Sequence, residues 1–487
     1  MQDEIISSQT PPSTVIIAGL GKEGESSFRY LRQRFPAATF ILSDSKSPDE
    51  LEEVWQTWLS EEHSRFIALD QLSSEQFEYG LTILNKTPGI PAEHPALSHL
   101  LSSAVKLTSN TACFFEEISQ FPDVETVVVT GSKGKSTSSS LIAHILQKGP
   151  RPVFFAGNIG SPPLSVLDGV RAAAQEGQKP IVVLELSSHQ LRESSIKPTI
   201  AVLLDVTPEH LDYYPSFTAY WQAKAAVTTL QTPADYLLYN PTHSIPAQIA
   251  TLTHARLVTI GEVASYDAWF DTEYLHVGEW QIKRSSNPLV GEHNAFNALP
   301  ALWVAKHFGL EQQTVEEALS FFEPLPHRLQ PAGTVNGVSY INDSQATTPE
   351  ATIAALRAFP GKSITLLAGG SDKGVSFAEL AQVILDLNVQ TVLLFPPMGE
   401  AIRQAVMSAT GTSGDGAVGG EAGSTGARNQ TIPTFLPVES MQEAVRKAAE
   451  VTPADGVVLL SPACASFGLF KNYQDRGNQF LEAVATL

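Results

Sequence analysis

The stretch Thr126-Val-Val-Val-Thr-Gly-Ser-Lys-Gly-Lys-Ser-Thr137 decides how the rest of the chain is read. Thr126 to Thr130 is a near-continuous β-branched run, the mark of a parallel strand buried on both faces. Beyond the glycines, Leu141, Ile142, Ile145 and Leu146 fall on one face of a helix. Strand, glycine turn and helix in that order make a phosphate cradle. Main-chain N–H groups converge on phosphate oxygens, and the helix N-terminus adds partial positive charge. In the common nucleotide loop, G-x-x-x-x-G-K-[ST], the lysine reaches the β/γ-phosphates and the hydroxyl holds Mg²⁺. Lys135 and Ser136 take those places here, and Val129 stands where the first glycine would be, so the loop is a shortened form. Gly131, Ser132, Lys133, Gly134, Lys135, Ser136 and Thr137 are the nucleotide-binding candidates.

Outward from this loop, short apolar runs recur at Val15–Ala18, Phe40–Ser43, Ile181–Leu186, Ile200–Leu204, Ile364–Leu367, Thr391–Phe395 and Val457–Leu460. Amphipathic stretches separate them, which predicts doubly wound α/β units with parallel sheets. Two strand–glycine-turn–helix openings, near Val15 and Val127, call for two such units, and a third set of strands begins near Val338 after Pro324, Pro326 and Pro331. A chain of 487 residues has room for about three domains, placed at 1–121, 122–325 and 326–487. The glycine-rich segment from Gly411 to Asn429 has almost no apolar bulk and reads as a flexible surface insertion.

Composition narrows the function. With 31 basic against 51 acidic residues the formal charge is −20, which opposes nucleic-acid binding as the main task. Two cysteines, Cys113 and Cys464, exclude a disulfide scaffold and fit a reducing compartment. The polar, acidic start is no secretory signal, and no apolar run approaches the roughly 18 residues of a membrane span. A cytoplasmic multi-domain enzyme is the expectation.

Several residues beyond the loop carry chemistry. Glu185 ends an apolar strand, and a carboxylate there is costly unless it is paired or bound to a cation. It is either a Mg²⁺ ligand or a paired core glutamate. His210 lies just past the next strand, in Asp205-Val-Thr-Pro-Glu-His210, and by itself reads more often as a turn or core histidine than as a ligand. Lys224, in an Ala-rich helix, reads by itself as part of a solvated face. Gly19-Leu-Gly-Lys-Glu-Gly24, followed by Asp44, is on its own a dinucleotide fingerprint.

TGSKGKST, ELSSHQL, DVTPEHLDYYPSFTAYWQAK, GEHNAFNA, LPHRL, YINDSQATTPEATIAAL, LLAGGSDKG and LLSPACASFGLFKNYQDRGNQF stand in the order found in the Mur ligases, a family the chain resembles over nearly its whole length. That resemblance implies an α/β protein of three domains: N-terminal Rossmann-like, central P-loop ATPase and C-terminal Rossmann-like. Within the family, the last string and the GLGKEG opening resemble the branch that adds D-glutamate to UDP-N-acetylmuramoyl-L-alanine (UDP-MurNAc-L-Ala) with ATP and two Mg²⁺ ions. The first glycine turn then serves UDP rather than NAD, through Gly21, Lys22, Glu23, Asp44, Ser45, Thr87 and Gly89, with Asn158, Ser187 and Gln190 also on the UDP-sugar side. Asn294, Asn297, Arg328 and Asp343 join the ATP set, and Thr347, Lys373, Ser466 and Tyr473 hold D-glutamate. Lys135, His210 and Lys224 are catalytic, and the metal ligands are Ser136, Glu185, His210 and Lys224, the last once carbamylated by CO₂. A monomer acting on small molecules, without nucleic acid or membrane, completes what the family implies.

Two departures from the family pattern stand out. Gln345 occupies a position usually held by lysine, which removes one positive charge near the site, and the link from His210 to Lys224 is one residue shorter than in a familiar relative. Among rivals, a folylpolyglutamate synthase would lack the GLGKEG domain. A diaminopimelate-adding ligase should carry an Asp-Asn-Pro-Arg-like motif, which is missing. An NAD-dependent dehydrogenase leaves the second glycine loop unexplained. A non-catalytic nucleotide-binding protein would not need Lys135, Glu185, His210 and Lys224 together.

Overall fold

The computed structural model describes residues 11–74, 77, 81–91, 93–102, 105–211, 213–289, 291–323, 326–372, 374–410 and 431–487. Lys373 and the glycine-rich segment 411–429 therefore lie outside the described residues. Contacts divide the chain into two compact units, one of residues 1–286 and 296–320, the other of 287–295 and 321–487.

The first unit holds two sheets. Strands β1 (Thr14–Ala18), β2 (Thr39–Ser43), β3 (Ser64–Phe66), β4 (Thr82–Lys86) and β5 (Lys106–Thr108) form a parallel sheet in the order β3-β2-β1-β4-β5. The order reverses direction at β1, which opens a crevice beyond the strand ends there. The second sheet comprises β6 (Glu125–Thr130), β7 (Val153–Gly157), β8 (Ile181–Glu185), β9 (Ile200–Leu203), β10 (Tyr236–Tyr239), β11 (Arg256–Gly261), β12 (Ala268–Phe270), β13 (Tyr274–Val277) and β14 (Trp280–Lys283). Its order is β14-β13-β12-β11-β10-β9-β6-β8-β7, so β6, which leads into the glycine loop, is an interior strand paired on both sides. Val127, Val128 and Val129 are fully buried there, each side chain contributing about 1.5–3 kcal/mol.

The antiparallel run β12-β13-β14 was not legible as parallel-strand signal. In β14 buried Trp280 and Ile282 alternate with exposed Gln281 and Lys283, the period of a half-solvated strand rather than an apolar run. The two sheets share one apolar cluster, continuous from Val15, Phe28 and Trp55 to Val128 and Leu184. Glu117 ties three helices together across them, since Tyr30, Arg34 and Arg171 all donate to its carboxylate. Among the described residues no helix is long and apolar enough to cross a membrane.

The second unit holds β15 (Gln330–Val335), β16 (Val338–Asn342), β17 (Ile364–Gly369), β18 (Thr391–Phe395), β19 (Thr434–Pro437) and β20 (Val457–Leu460), ordered β15-β16-β20-β17-β18-β19. Only β15 runs antiparallel to its neighbour among these. The helix Tyr473–Ala485 turns Arg476, Gly477, Phe480, Ala483 and Val484 inward. Gly477 packs against His327 so closely that a Cβ would lie 2.2 Å from His327 Nδ1. His327 is itself buried and bonded to Asn342, so it has little freedom to yield. Gly477→Ala should therefore destabilise this unit by about 1–3 kcal/mol, read as a lowered urea midpoint. An unchanged midpoint would mean that the His327 contact is slack.

Candidate active site

The shortened loop is built as its residues demand. Gly134 caps the helix Lys135–Leu146 at φ +84°, and a Cβ there would stand 2.3 Å from Asn297 Oδ1. Glycine thus provides both the left-handed turn and the space that lets Asn297 close on the loop. Ser138 Oγ donates to the Asn297 carbonyl at 2.9 Å, which fixes the approach. Ser132 is committed to the fold. Its amide donates to Asp205 O at 2.7 Å, and its hydroxyl meets Thr207 O, the Thr207 amide and the Tyr220 hydroxyl at 2.8–2.9 Å. That leaves Lys133, exposed, and the first turn of the helix as the part of the loop open to a ligand.

Lys224 is 1% exposed, so it does not lie on a solvated face. Its Nζ donates to Gly131 O at 2.7 Å and sits 4.8 Å from the Tyr220 ring centroid. Lys135 Nζ donates to the same carbonyl at 2.9 Å and to Ser132 O at 2.6 Å. Burial, and after it the charge of Lys135, holds the Lys224 ammonium well below the usual lysine range, against the pull of Glu209 and Glu185. Helix periodicity could not show this, because the helix Phe217–Ala225 buries residues on most of its faces.

Glu185 is 1% exposed at the end of β8. Its Oε1 accepts from Asn158 Nδ2 at 3.0 Å, while Oε2 is buried with no hydrogen-bond partner. A core glutamate would have both oxygens paired, so the open oxygen fits a cation ligand. Thr130 Oγ1, at the mouth of the loop, is likewise buried and unpartnered. His210 is exposed, with φ +55°, and its ring centroid lies 4.7 Å from His189 and 6.2 Å from Tyr220. Among the described residues no three His, Cys, Asp or Glu side chains form a metal-ligand group. A metal here would need hydroxyl, carbamate, phosphate or water ligands beside Glu185 and His210.

The other candidates of this unit gather at the β1 crevice. Asp44 accepts from the Leu20 amide at 2.7 Å and the Lys46 amide at 3.0 Å, holding the glycine turn to the end of β2. Gly21 caps the helix Lys22–Arg34, Ser45 is exposed beside Asp44, and the Thr87 amide donates to Ala18 O, which brings Thr87 and Gly89 alongside. Glu23 accepts from Gln190, and burial pushes its carboxyl above the usual range. Ser187 and Gln190 form a reciprocal capping box, so each orients the other.

In the second unit Arg328 donates to Gln345 Oε1 at 3.2 Å, where a lysine could only repel it. Asp343 accepts from the Leu329 amide at 3.1 Å and the Ser461 hydroxyl at 2.8 Å. Asn294 is buried in this unit. Thr347, Ser466 and Tyr473 stand on three segments joined by a residue that sequence reasoning missed. Arg476, fully buried, donates to Ser344 O, Ser344 Oγ and Cys464 O at 2.8–3.2 Å. Burial pushes its guanidinium down to about 10. The inward phase of its helix was the available signal.

Burial pushes the Asp343 carboxyl up to about 7, against the pull of Ser461, the Leu329 amide and Arg328. The fold then keeps a proton that the unfolded chain has lost, so stability falls as pH rises between about 4 and 7. An Asp343→Asn variant should gain on the parent over that window, by at most about 1.4 kcal/mol per pH unit in urea unfolding. A difference that stays flat would show an ordinary carboxylate.

The Mur ligase middle domain matches residues 129–305, and the Mur ligase glutamate ligase domain matches residues 327–464. The UDP-N-acetylmuramoylalanine–D-glutamate ligase of Streptococcus agalactiae serotype III (strain NEM316) is 32% identical, covering 97% of each chain. The UDP-N-acetylmuramoyl-L-alanine–L-glutamate ligase of a Micromonospora strain is 31% identical over 97% of this chain and 96% of its own. Among solved structures, the MurF ligase of Thermotoga maritima in complex with ADP superposes with a TM-score of 0.57 at 15% identity, over 100% of this chain and 99% of its own. Two domain matches and full-length relatives above 30% identity, on a fold with the loop in its expected place, make this chain a member of the Mur ligase family.

Proposed function

We propose that the chain is an ATP-dependent ligase joining D-glutamate to the L-alanine carboxylate of UDP-MurNAc-L-Ala, a step in making the peptidoglycan precursor. One observation carries this most: buried Lys224 and Lys135 meet on the Gly131 carbonyl, within electrostatic reach of Glu185. In this assignment residues 1–121 take the UDP-sugar, 122–325 ATP and 326–487 the amino acid, in a cytoplasmic monomer.

A carboxylate does not acylate an amine at neutral pH, because its leaving group is poor. The alanyl carboxylate oxygen therefore attacks the γ-phosphorus of ATP, ADP leaves, and an acyl phosphate forms. The free amine of glutamate attacks the acyl carbon, phosphate leaves with the C–O electrons, and a proton passes to solvent. Lys135 exchanges its loop carbonyls for the β/γ-phosphates and draws off charge as the two anions meet. Burial favours the neutral Lys224 amine, which adds to CO₂ and releases a proton, so an anion replaces a neutral group beside Glu185. Mg²⁺ held by Ser136, and a second ion held by Glu185, His210 and that carbamate, would screen the charge of the meeting oxyanions. Asn297, Asn294, Arg328 and Asp343 orient the nucleotide, and Thr347, Lys373, Ser466 and Tyr473 the amino acid. Placing substrates in line supplies much of the rate.

A second assignment has L-glutamate as the incoming amino acid. It is favoured by the Micromonospora relative, whose identity differs from that of the streptococcal one by a single percentage point.

Phosphate release should need ATP, Mg²⁺, UDP-MurNAc-L-Ala and D-glutamate together. Faster turnover with L-glutamate would transfer the assignment to the second reading, and turnover with neither would remove both. Lys135→Ala should cut kcat by at least about a hundredfold at unchanged thermal midpoint. Full activity in that variant would strip the loop of its role.

A further inference from the structure

Lys86, the last residue of β4, is 1% exposed. An ammonium has three protons, and a buried one is costly unless each finds an acceptor. Lys86 Nζ has three acceptors in reach: Ile90 O at 2.6 Å, Thr87 O at 3.3 Å and Glu193 Oε2 at 2.8 Å. Two of these belong to the turn Thr87–Ile90 at the β1 crevice. The third comes from the segment that links β8 to β9, two residues beyond the helix Ser188–Leu191.

The turn is held from that side again where the Tyr213 hydroxyl donates to Pro88 O at 3.3 Å. The same short stretch sends Gln190 to Glu23 in the first glycine turn and Arg192 to Glu93. Ser109 and Ser194 hydroxyls meet at 3.1 Å beside them. Residues 187–194, which follow Glu185, are thus bonded to both turns of the β1 crevice, and Lys86 is the buried basic residue of the set.

We infer that Lys86 is a positioning residue for the UDP-sugar substrate: it fastens the Thr87–Ile90 turn to the segment after Glu185, so that the two ends of one long ligand meet sites at a fixed separation. The inference rests on the ligase assignment above, in which UDP lies in the β1 crevice and the alanyl carboxylate at the glycine loop. A ligand that spans both pays for any error in their spacing at its reacting end, whereas ATP and glutamate do not span them.

The test is steady-state kinetics of the full chain with each substrate varied in turn. Lys86→Met leaves the largely enclosed Glu193 without its cation and can fail to fold, so the Lys86→Met/Glu193→Met double variant is measured beside it. In the folded double variant the KM for UDP-MurNAc-L-Ala should rise on the order of tenfold, with KM for ATP and glutamate within about twofold of the parent. Asp44→Ala serves as the control for the crevice itself. A raised UDP-sugar KM in Asp44→Ala with no change in the double variant would overturn the inference alone. No change in either would remove the UDP site from the crevice, and the inference with it. An equal loss for all three substrates would reduce Lys86 to a structural role.

Discussion

Two lysine amines share one carbonyl oxygen, and the rest of the centre is arranged around that crowding. Gly131 O receives both Lys135 and Lys224, at 2.9 and 2.7 Å. Two ammonium ions cannot stand so close inside a protein at low cost. Burial decides which one yields: Lys224, enclosed by its own helix and Tyr220, is the one held below the usual lysine range. The loop can bear this because Ser132 anchors it to Asp205, Thr207 and Tyr220, so its carbonyl cannot swing away. A buried amine held below the usual lysine range, a carboxylate oxygen without a partner and a helix N-terminus then lie around one glycine loop.

The first sheet is joined to this centre by polar bonds as much as by packing. Glu117 gathers Tyr30, Arg34 and Arg171, while Glu23, Lys86 and Glu93 each reach the segment after β8. Exposed ion pairs contribute little, but several of these are substantially buried, so removing one partner strands the other. Geometry rather than stability is the plainest gain. Such bonds have direction, and they set how far one glycine turn lies from the other.

In the second unit a single cation does comparable work. Among the described residues Arg476 has backbone and hydroxyl acceptors but no carboxylate. It clamps the segments that carry Thr347, Ser466 and Tyr473, and its buried charge makes the clamp costly to open. Gln345 belongs to the same economy: it replaces a repulsion with a bond to Arg328.

Much was legible in the sequence because strong local patterns coincide with function. The β-branched run before the glycine loop, the GLGKEG turn with Asp44 and the order of apolar runs determine the α/β fold and its phosphate cradle, since strands buried on both faces and left-handed turns restrict residue choice locally. Glu185 was visible as a charge at the end of an apolar strand. What only the tertiary structure decided is which charged side chains go inside. Lys224, Lys86 and Arg476 look like ordinary surface residues in their own windows. They are buried because acceptors from distant segments converge on them: Gly131 O, Glu193 Oε2, and Ser344 with Cys464 O. A hydrogen-bond partner some 90 to 110 residues away leaves no periodicity in the chain, so the burials of Lys224 and Lys86 belong to the fold alone, whereas the helix phase of Arg476 gave only its direction and not its acceptors.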